Sequence, residues 1–139
     1  MTKILLISFL LFYSSIATTA ETDQENVLKL HVIYSENIQE IMQRLSMSVY
    51  EENLDMQQIE ELFDNASELY ITAKNLKQAL PGIDLTVSEK NIFENIAKQL
   101  QIEANNLGYM AQNNDKEGMQ MVYKRLNDTC VSCHELFRF

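Results

Sequence analysis

Apolar side chains recur at intervals of three and four residues along most of the chain after residue 20. This spacing places them on one face of a helix, and no stretch sustains the alternation of apolar and polar residues that marks a half-buried strand. Glycine occurs three times and proline once, so few residues interrupt the pattern. The pattern predicts four amphipathic helices within a chain of 139 residues, a length that suits one small domain.

The four predicted helices cover residues 23–50, residues 55–80, a segment from Thr86 or Ser88 to about residue 111, and residues 115–137. Asp55 is a suitable N-cap, Thr86 and Glu89 have capping-box spacing, and the proline at position 81 ends the second helix. The predicted inner faces carry Val27, Leu30, His31, Tyr34, Ile38, Ile41, Met42 and Leu45; Ile59, Leu62, Phe63, Ala66, Leu69, Tyr70, Ala73, Leu76 and Leu80; Ile92, Phe93, Ile96, Ala97, Leu100, Ala104, Leu107 and Ala111; and Met119, Val122, Leu126, Cys130, Cys133 and Phe137.

Four helices of about 20–28 residues with short connections predict an all-α fold, an antiparallel four-helix bundle with up-down-up-down topology. In this topology the first and fourth helices are antiparallel neighbours. The end of the fourth helix is therefore expected beside the start of the first helix.

The first 20 residues have the pattern of a secretory signal. Lys3 precedes an apolar run, and small and hydroxyl residues lead to a cleavage site after Ala20. The run of about 13 residues is short for a membrane span, which is the alternative. We therefore expect a signal peptide at residues 1–20, a bundle domain at residues 21–139, and a location in the periplasm.

The chain carries 11 basic and 20 acidic side chains, and its net charge is −9. Removing the signal with Lys3 brings the mature chain to about −10, since a single positive charge is lost. This charge disfavours nucleic acids and anionic membrane surfaces as partners and is compatible with steering towards a basic redox partner. An acidity that serves only solubility explains the composition equally well.

The most informative motif lies at the C-terminal end, where Cys130 and Cys133 are followed directly by His134. Two thiols three residues apart with a histidine after the second form the attachment motif of c-type haem. Each thiol adds across one vinyl group, and the histidine becomes an axial ligand of the iron. The spacing places all three side chains on one side of a helix. The motif predicts one covalently bound haem c.

The two cysteines have three other interpretations: a redox dithiol, a zinc site and a structural disulfide. A thioredoxin-like dithiol requires strands around it, and the pattern contains none. Zinc would need a second group of ligands. A structural disulfide in a haem-free helical interaction module remains an alternative.

The ending Cys130-x-x-Cys133-His134-x-x-Phe137-Arg138 resembles that of the class II cytochromes c, the cytochrome c′ group. This resemblance is local to the C-terminal end, and over the remaining chain it concerns architecture alone. It implies a four-helix bundle with a C-terminal haem. It also implies that Arg138 lies close to the haem propionates. Homodimers are common among such cytochromes, although no residue of this sequence demonstrates one.

The resemblance implies that the other face of the iron is covered by the first helix. His31 is a candidate sixth ligand, with a position near a propionate or on the surface as the alternatives, and Tyr34 is a candidate haem contact one turn later. Met42 and Met47 lie about 12 and 20 Å beyond Tyr34 along a helix that rises 1.5 Å per residue, and they are expected to lie too deep to reach the haem.

These features predict a periplasmic protein that transfers electrons through one haem. Two alternatives remain: a five-coordinate haem that binds nitric oxide or carbon monoxide, and the haem-free module. The sequence shows no recognisable pairing of a nucleophile with a base, so we do not expect an enzyme.

Overall fold

The computed structural model describes residues 36–82 and 84–137. Helix α1 is described over residues 36–49. It is followed by α2 (Met56–Asn75), a 3₁₀ helix (Leu76–Gly82), α3 (Val87–Gln112) and α4 (Lys116–Leu136). The described residues contain no strand, so the predicted all-α fold is confirmed. The predicted signal and the first part of the first helix lie outside the described residues.

The starts of three helices are held by side chains that accept hydrogen bonds from free backbone N–H groups. Asp55 caps α2, and Thr86 caps α3. In both helices the residue three positions later closes a capping box by accepting from the backbone of the cap, as the sequence predicted for Thr86 and Glu89. Asp115 caps α4 by accepting from the N–H of Gly118 at 3.0 Å.

The helices form an antiparallel bundle. The α1–α2 pair is joined by Arg44, whose guanidinium donates to Asn65 at 2.7 Å and pairs with Glu68 at 2.6 Å. Lys116 at the start of α4 donates a hydrogen bond to the carbonyl of Glu52, just after the end of α1, at 3.3 Å. Helix α4 therefore runs beside α1 in the opposite direction. Its end faces the earliest described turns of α1, as the predicted topology requires.

One apolar core runs through the bundle and receives side chains from all four helices. Its members recur at three- and four-residue intervals, so each helix contributes one stripe. The buried core consists of Ile41, Leu45 and Val49; Leu62, Ala66, Leu69 and Ala73; Leu100, Ala104, Leu107 and Ala111; and Met119, Val122 and Leu126.

Two details of the predicted second and third helices were wrong. The α-helical part of the second helix ends at Asn75, and the chain continues as a 3₁₀ helix where an unbroken α-helix was expected. Tyr70 and Ile92 are exposed although they were assigned to inner faces. Each adjoins a truly buried residue in sequence, Leu69 or Phe93, and successive residues of an α-helix point about 100° apart.

Candidate haem site

The last two turns of α4 present the cysteine–histidine motif. The helix continues through the motif to Leu136, and the N–H of Phe137 donates to the carbonyl of Cys133 at 2.9 Å. Because the motif is helical, Cys130, Cys133 and His134 share one side of α4, as their spacing predicted. All three side chains line a single cavity of about 450 Å³.

This cavity is large enough for a cofactor, since small-molecule and cofactor pockets span roughly 300–1,000 Å³. It receives side chains from α1, α3, α4 and the 3₁₀ helix. Its lining consists of Ile38, Gln39, Met42, Gln43, Ser46, Leu76, Phe93, Ile96, Ala97, Leu100, Tyr123, Asn127, Thr129, Cys130, Cys133, His134 and Phe137.

The α3 side of the cavity is an apolar wall. Phe93 and Phe137 pack edge to face with ring centroids 5.4 Å apart, and Leu80 is buried with them. Cys133 packs against the cluster that these three residues form. Such a wall keeps water from a flat apolar ring system and holds it by burial.

The α1 side of the cavity carries uncharged polar groups. Gln39 and Gln43 on α1 and Asn127 on α4 are exposed at the rim, and Ser46 is half-buried. No Asp, Glu, Lys or Arg belongs to the described lining. A haem held here would therefore meet an apolar wall from α3, and a mixture of apolar and neutral hydrogen-bonding groups from α1 and α4.

Burial governs the chemistry of the two thiols before haem is attached. It raises the pKa of Cys130 to about 11, with a smaller contribution from the neighbouring Cys133. Burial also raises the pKa of Cys133. Both side chains are free cysteines, and at neutral pH they are protonated thiols. Two thiols, one imidazole and an apolar cavity form a set of groups that fits a covalently attached haem.

Three predicted site residues, His31, Tyr34 and Arg138, lie outside the described residues. The prediction for Met42 needs correction. Met42 was expected to lie too deep in the bundle to reach the haem, but its half-buried side chain lines the same cavity as the motif. That prediction measured distances along the helix from Tyr34 and placed the haem near Tyr34. The cavity instead extends along α1 from Ile38 to Ser46, a distance of about 12 Å along the helix axis.

Sequence analysis also missed Tyr123, although a signal for it exists. It precedes Cys130 by seven residues, which is two helical turns, so it lies on the face of α4 that carries the motif. Its hydroxyl donates to the carbonyl of Met42 at 3.3 Å, and its ring packs edge to face on Tyr50. Asn127 was missed as well, although it precedes Cys130 by three residues on the same face of α4. Phe93 was not recognised as a site residue, because only the packing of α3 against α4 brings it to the cavity.

Residues 55–138 match the family model of cytochrome c′. The matched segment contains α2, α3 and α4 and ends just after the cysteine–histidine motif. No curated protein matches the chain. Because the match covers more than half of the sequence and includes the cysteine–histidine motif and the lining residues of α3 and α4, the chain belongs to the cytochrome c′ family and is a haem-binding c-type cytochrome.

Proposed function

We propose that this cytochrome transfers electrons outside the cytoplasm through one haem c, attached covalently at Cys130 and Cys133 and ligated by His134. The observation that carries the proposal is the convergence of these three side chains on one cavity. When bound, the haem supplies one-electron chemistry at its iron. The chain's own residues hold the ring system rigidly, exclude water along the α3 wall and leave polar groups at the α1–α4 rim.

A role as a carrier suits this lining better than a role in catalytic turnover. The described lining lacks a carboxylate, a lysine and an arginine. His134 is assigned to the iron, so no other imidazole of the described lining is left for proton transfer. The described lining also contains no carboxylate, lysine or arginine that would place a charge beside the haem, and such charges are among the factors that set its reduction potential.

Met42 and His31 are the two side chains that we propose to test as the sixth ligand. The position of Met42 in the cavity wall supports it, since a thioether sulfur is a known axial ligand of haem iron. His31 remains a prediction from the sequence. Either ligand would hold the iron six-coordinate, which suits electron transfer because the coordination would change little between oxidation states.

The alternative function is binding of a diatomic gas such as nitric oxide or carbon monoxide. It is favoured by Ile38, a half-buried apolar side chain at the end of the cavity that also contains His134. If neither Met42 nor His31 binds the iron, an apolar group of this kind would cover an open sixth position.

Absorbance spectra of the purified protein test both functions. Sharp ferrous bands that do not change under carbon monoxide are expected for a six-coordinate carrier. Met42→Leu and His31→Ala identify the ligand, because loss of the true ligand gives a high-spin spectrum that responds to carbon monoxide. Met47→Leu is the matched control, since Met47 is exposed on the same helix and does not line the cavity. A wild-type spectrum that is already high-spin would favour gas binding.

The location and the partner follow from the sequence and remain proposals. A signal at residues 1–20 supports export to the periplasm, and no helix in the described part of the chain is long and apolar enough to cross a membrane. The net charge of −9 favours a redox partner with a basic docking face, whose association slows as salt screens the attraction. A homodimer is proposed on the resemblance alone.

A further inference from the structure

An ion pair between a buried carboxylate and an exposed guanidinium joins α3 to α4. Glu103 is only 5% exposed, and its Oε1 accepts from Arg125 Nε at 3.0 Å and from Gln99 Nε2 at 2.9 Å. Its other oxygen, Oε2, is shielded from solvent and has no hydrogen-bond partner among the described residues. Glu103 is the only charged side chain that is buried in the described part of the chain.

The groove that contains this pair adjoins the haem cavity. Glu103 and Arg125 line a separate groove of about 500 Å³ between α3 and α4. Ile96 and Thr129 line both the groove and the haem cavity, so a single layer of side chains separates them. Thr129 also links the pair to the motif: its hydroxyl donates to the carbonyl of Arg125 at 2.8 Å, and Cys130 follows it directly.

The two charges of the pair are screened unequally. The side chain of Arg125 is 46% exposed, whereas that of Glu103 is 6% exposed. Water screens the exposed guanidinium, but the field of a buried carboxylate extends further through the low-dielectric interior. In the bundle core and at the haem, the negative charge therefore outweighs the positive one.

Stability alone gives little reason for this arrangement. A buried ion pair is often no more stabilising than apolar side chains of similar volume, and a buried oxygen without a hydrogen-bond partner is destabilising. A buried charge next to a redox cofactor has another consequence, because it changes the relative stability of the oxidised and reduced states.

We propose that Glu103 lowers the reduction potential of the haem and that Arg125 limits the size of this effect. The oxidised haem carries one positive charge more than the reduced haem. The buried carboxylate therefore stabilises the oxidised state, and the guanidinium opposes it. This inference rests on the attachment of haem and not on its role in electron transfer.

Potentiometric titration of the haem-loaded protein tests the role of Glu103. Glu103→Gln removes the buried charge and keeps a polar side chain of similar size, so the midpoint potential is expected to rise. Asp128→Asn is the matched control. Asp128 lines the same groove and lies closer to the motif in sequence, but its side chain is 57% exposed and pairs with Lys124. Its loss is expected to leave the potential almost unchanged.

Arg125 provides a second test that does not disturb a buried residue. Arg125→Gln leaves the carboxylate without its counter-charge, so the potential is expected to fall, and Arg125→Lys is expected to restore it. A merely structural role of the pair would not produce shifts of opposite sign for Glu103→Gln and Arg125→Gln. Far-UV circular dichroism and the haem-to-protein ratio show whether each variant is folded and loaded.

Two results would overturn the inference while leaving the proposed electron transfer intact. One is an unchanged potential in both Glu103→Gln and Arg125→Gln with haem attached. The other is an equal rise in Glu103→Gln and Asp128→Asn, which would show that total charge alone acts on the haem. A wild-type protein without attached haem would instead contradict the proposed function itself.

Discussion

At the scale of single residues, large aliphatic side chains fill the core, and small residues let the helices approach one another. Leu62, Leu69 and Leu107 are completely buried, and each removes a large apolar surface from water. Ala66 and the glycine at position 108 let α2 and α3 approach closely, because a Cβ atom at position 108 would lie 3.3 Å from the ring of Phe63. Burial of the leucines depends on this close approach.

Truncation of a core leucine is therefore expected to destabilise the bundle strongly. Leu62→Ala should lower the free energy of unfolding by about 2–5 kcal/mol, since it removes buried methyl groups and leaves a cavity. Urea denaturation of the haem-loaded protein measures the loss. Ile71→Ala on the same helix is the control, because Ile71 is 56% exposed and its truncation should change stability by about 0.5 kcal/mol or less. Equal losses in the two variants would contradict the assigned core.

At the scale of elements, the helices begin where side chains satisfy free backbone groups. The cap of α3 is the most complete: the N–H and the hydroxyl of Thr86 both donate to Glu89 Oε2, at 2.8 and 2.6 Å. The N–H of Glu89 donates in return to the hydroxyl oxygen of Thr86 at 3.3 Å. Each such contact stabilises the first turn, whose N–H groups have no partner within the helix.

This cap predicts a dependence of stability on pH. Hydrogen bonds from the side chain and the backbone of Thr86 lower the pKa of Glu89 from its ordinary value of 4.5. A lowered carboxyl pKa contributes stability that is present above the unfolded value and is lost as pH falls through the folded value. As pH falls below 4.5, wild type should therefore lose stability relative to Glu89→Gln.

Thermal unfolding across this pH range measures the effect. Glu94→Gln is the control, since Glu94 is exposed on α3 and makes no hydrogen bond or ion pair within the described residues. Each variant is compared with wild type at every pH. If the stability difference changed with pH as much for Glu94→Gln as for Glu89→Gln, the cap of α3 would not depend on the charge of Glu89.

At the scale of the whole molecule, α1, α3, α4 and the 3₁₀ helix leave a cavity that their own side chains do not fill. Buried core residues such as Leu45 and Leu126 pack closely against one another. A cavity of about 450 Å³ lies at the end of the bundle that contains the motif. Protein interiors contain few voids larger than a water molecule. The bundle is therefore expected to be complete only when a cofactor fills this end.

The covalently loaded protein should accordingly be much more stable than a form that cannot attach haem. Cys130→Ser/Cys133→Ser removes both thioether bonds. A loss of at least about 3 kcal/mol is expected if the cavity does not collapse fully, equivalent to roughly 10 °C or more in the unfolding midpoint. Scanning calorimetry measures the difference, and mass spectrometry shows the presence or absence of haem. Equal midpoints for the loaded wild type and the unloaded variant would contradict a structural role of the cofactor.

Much of the architecture could be predicted from local pattern. The caps at Asp55 and Thr86, the stripe of α4 and the stripe of α3 apart from Ile92 were correct, because helical periodicity and capping depend on residues three or four positions apart. Met42 was misplaced for the opposite reason. Its distance from the haem depends on how α1 packs against α4, which no local pattern contains.

The sequence by itself determined the helical fold, the antiparallel order and the haem attachment motif, since each follows from neighbours along the chain. Only the tertiary structure decided which side chains of α1 and α3 face that motif, and that the carboxylate of Glu103 is buried in a groove between α3 and α4 that adjoins the cavity. Those relations join residues that are far apart in sequence. They are settled by the packing of whole helices, where the choice of contacts reflects the burial of many side chains at once.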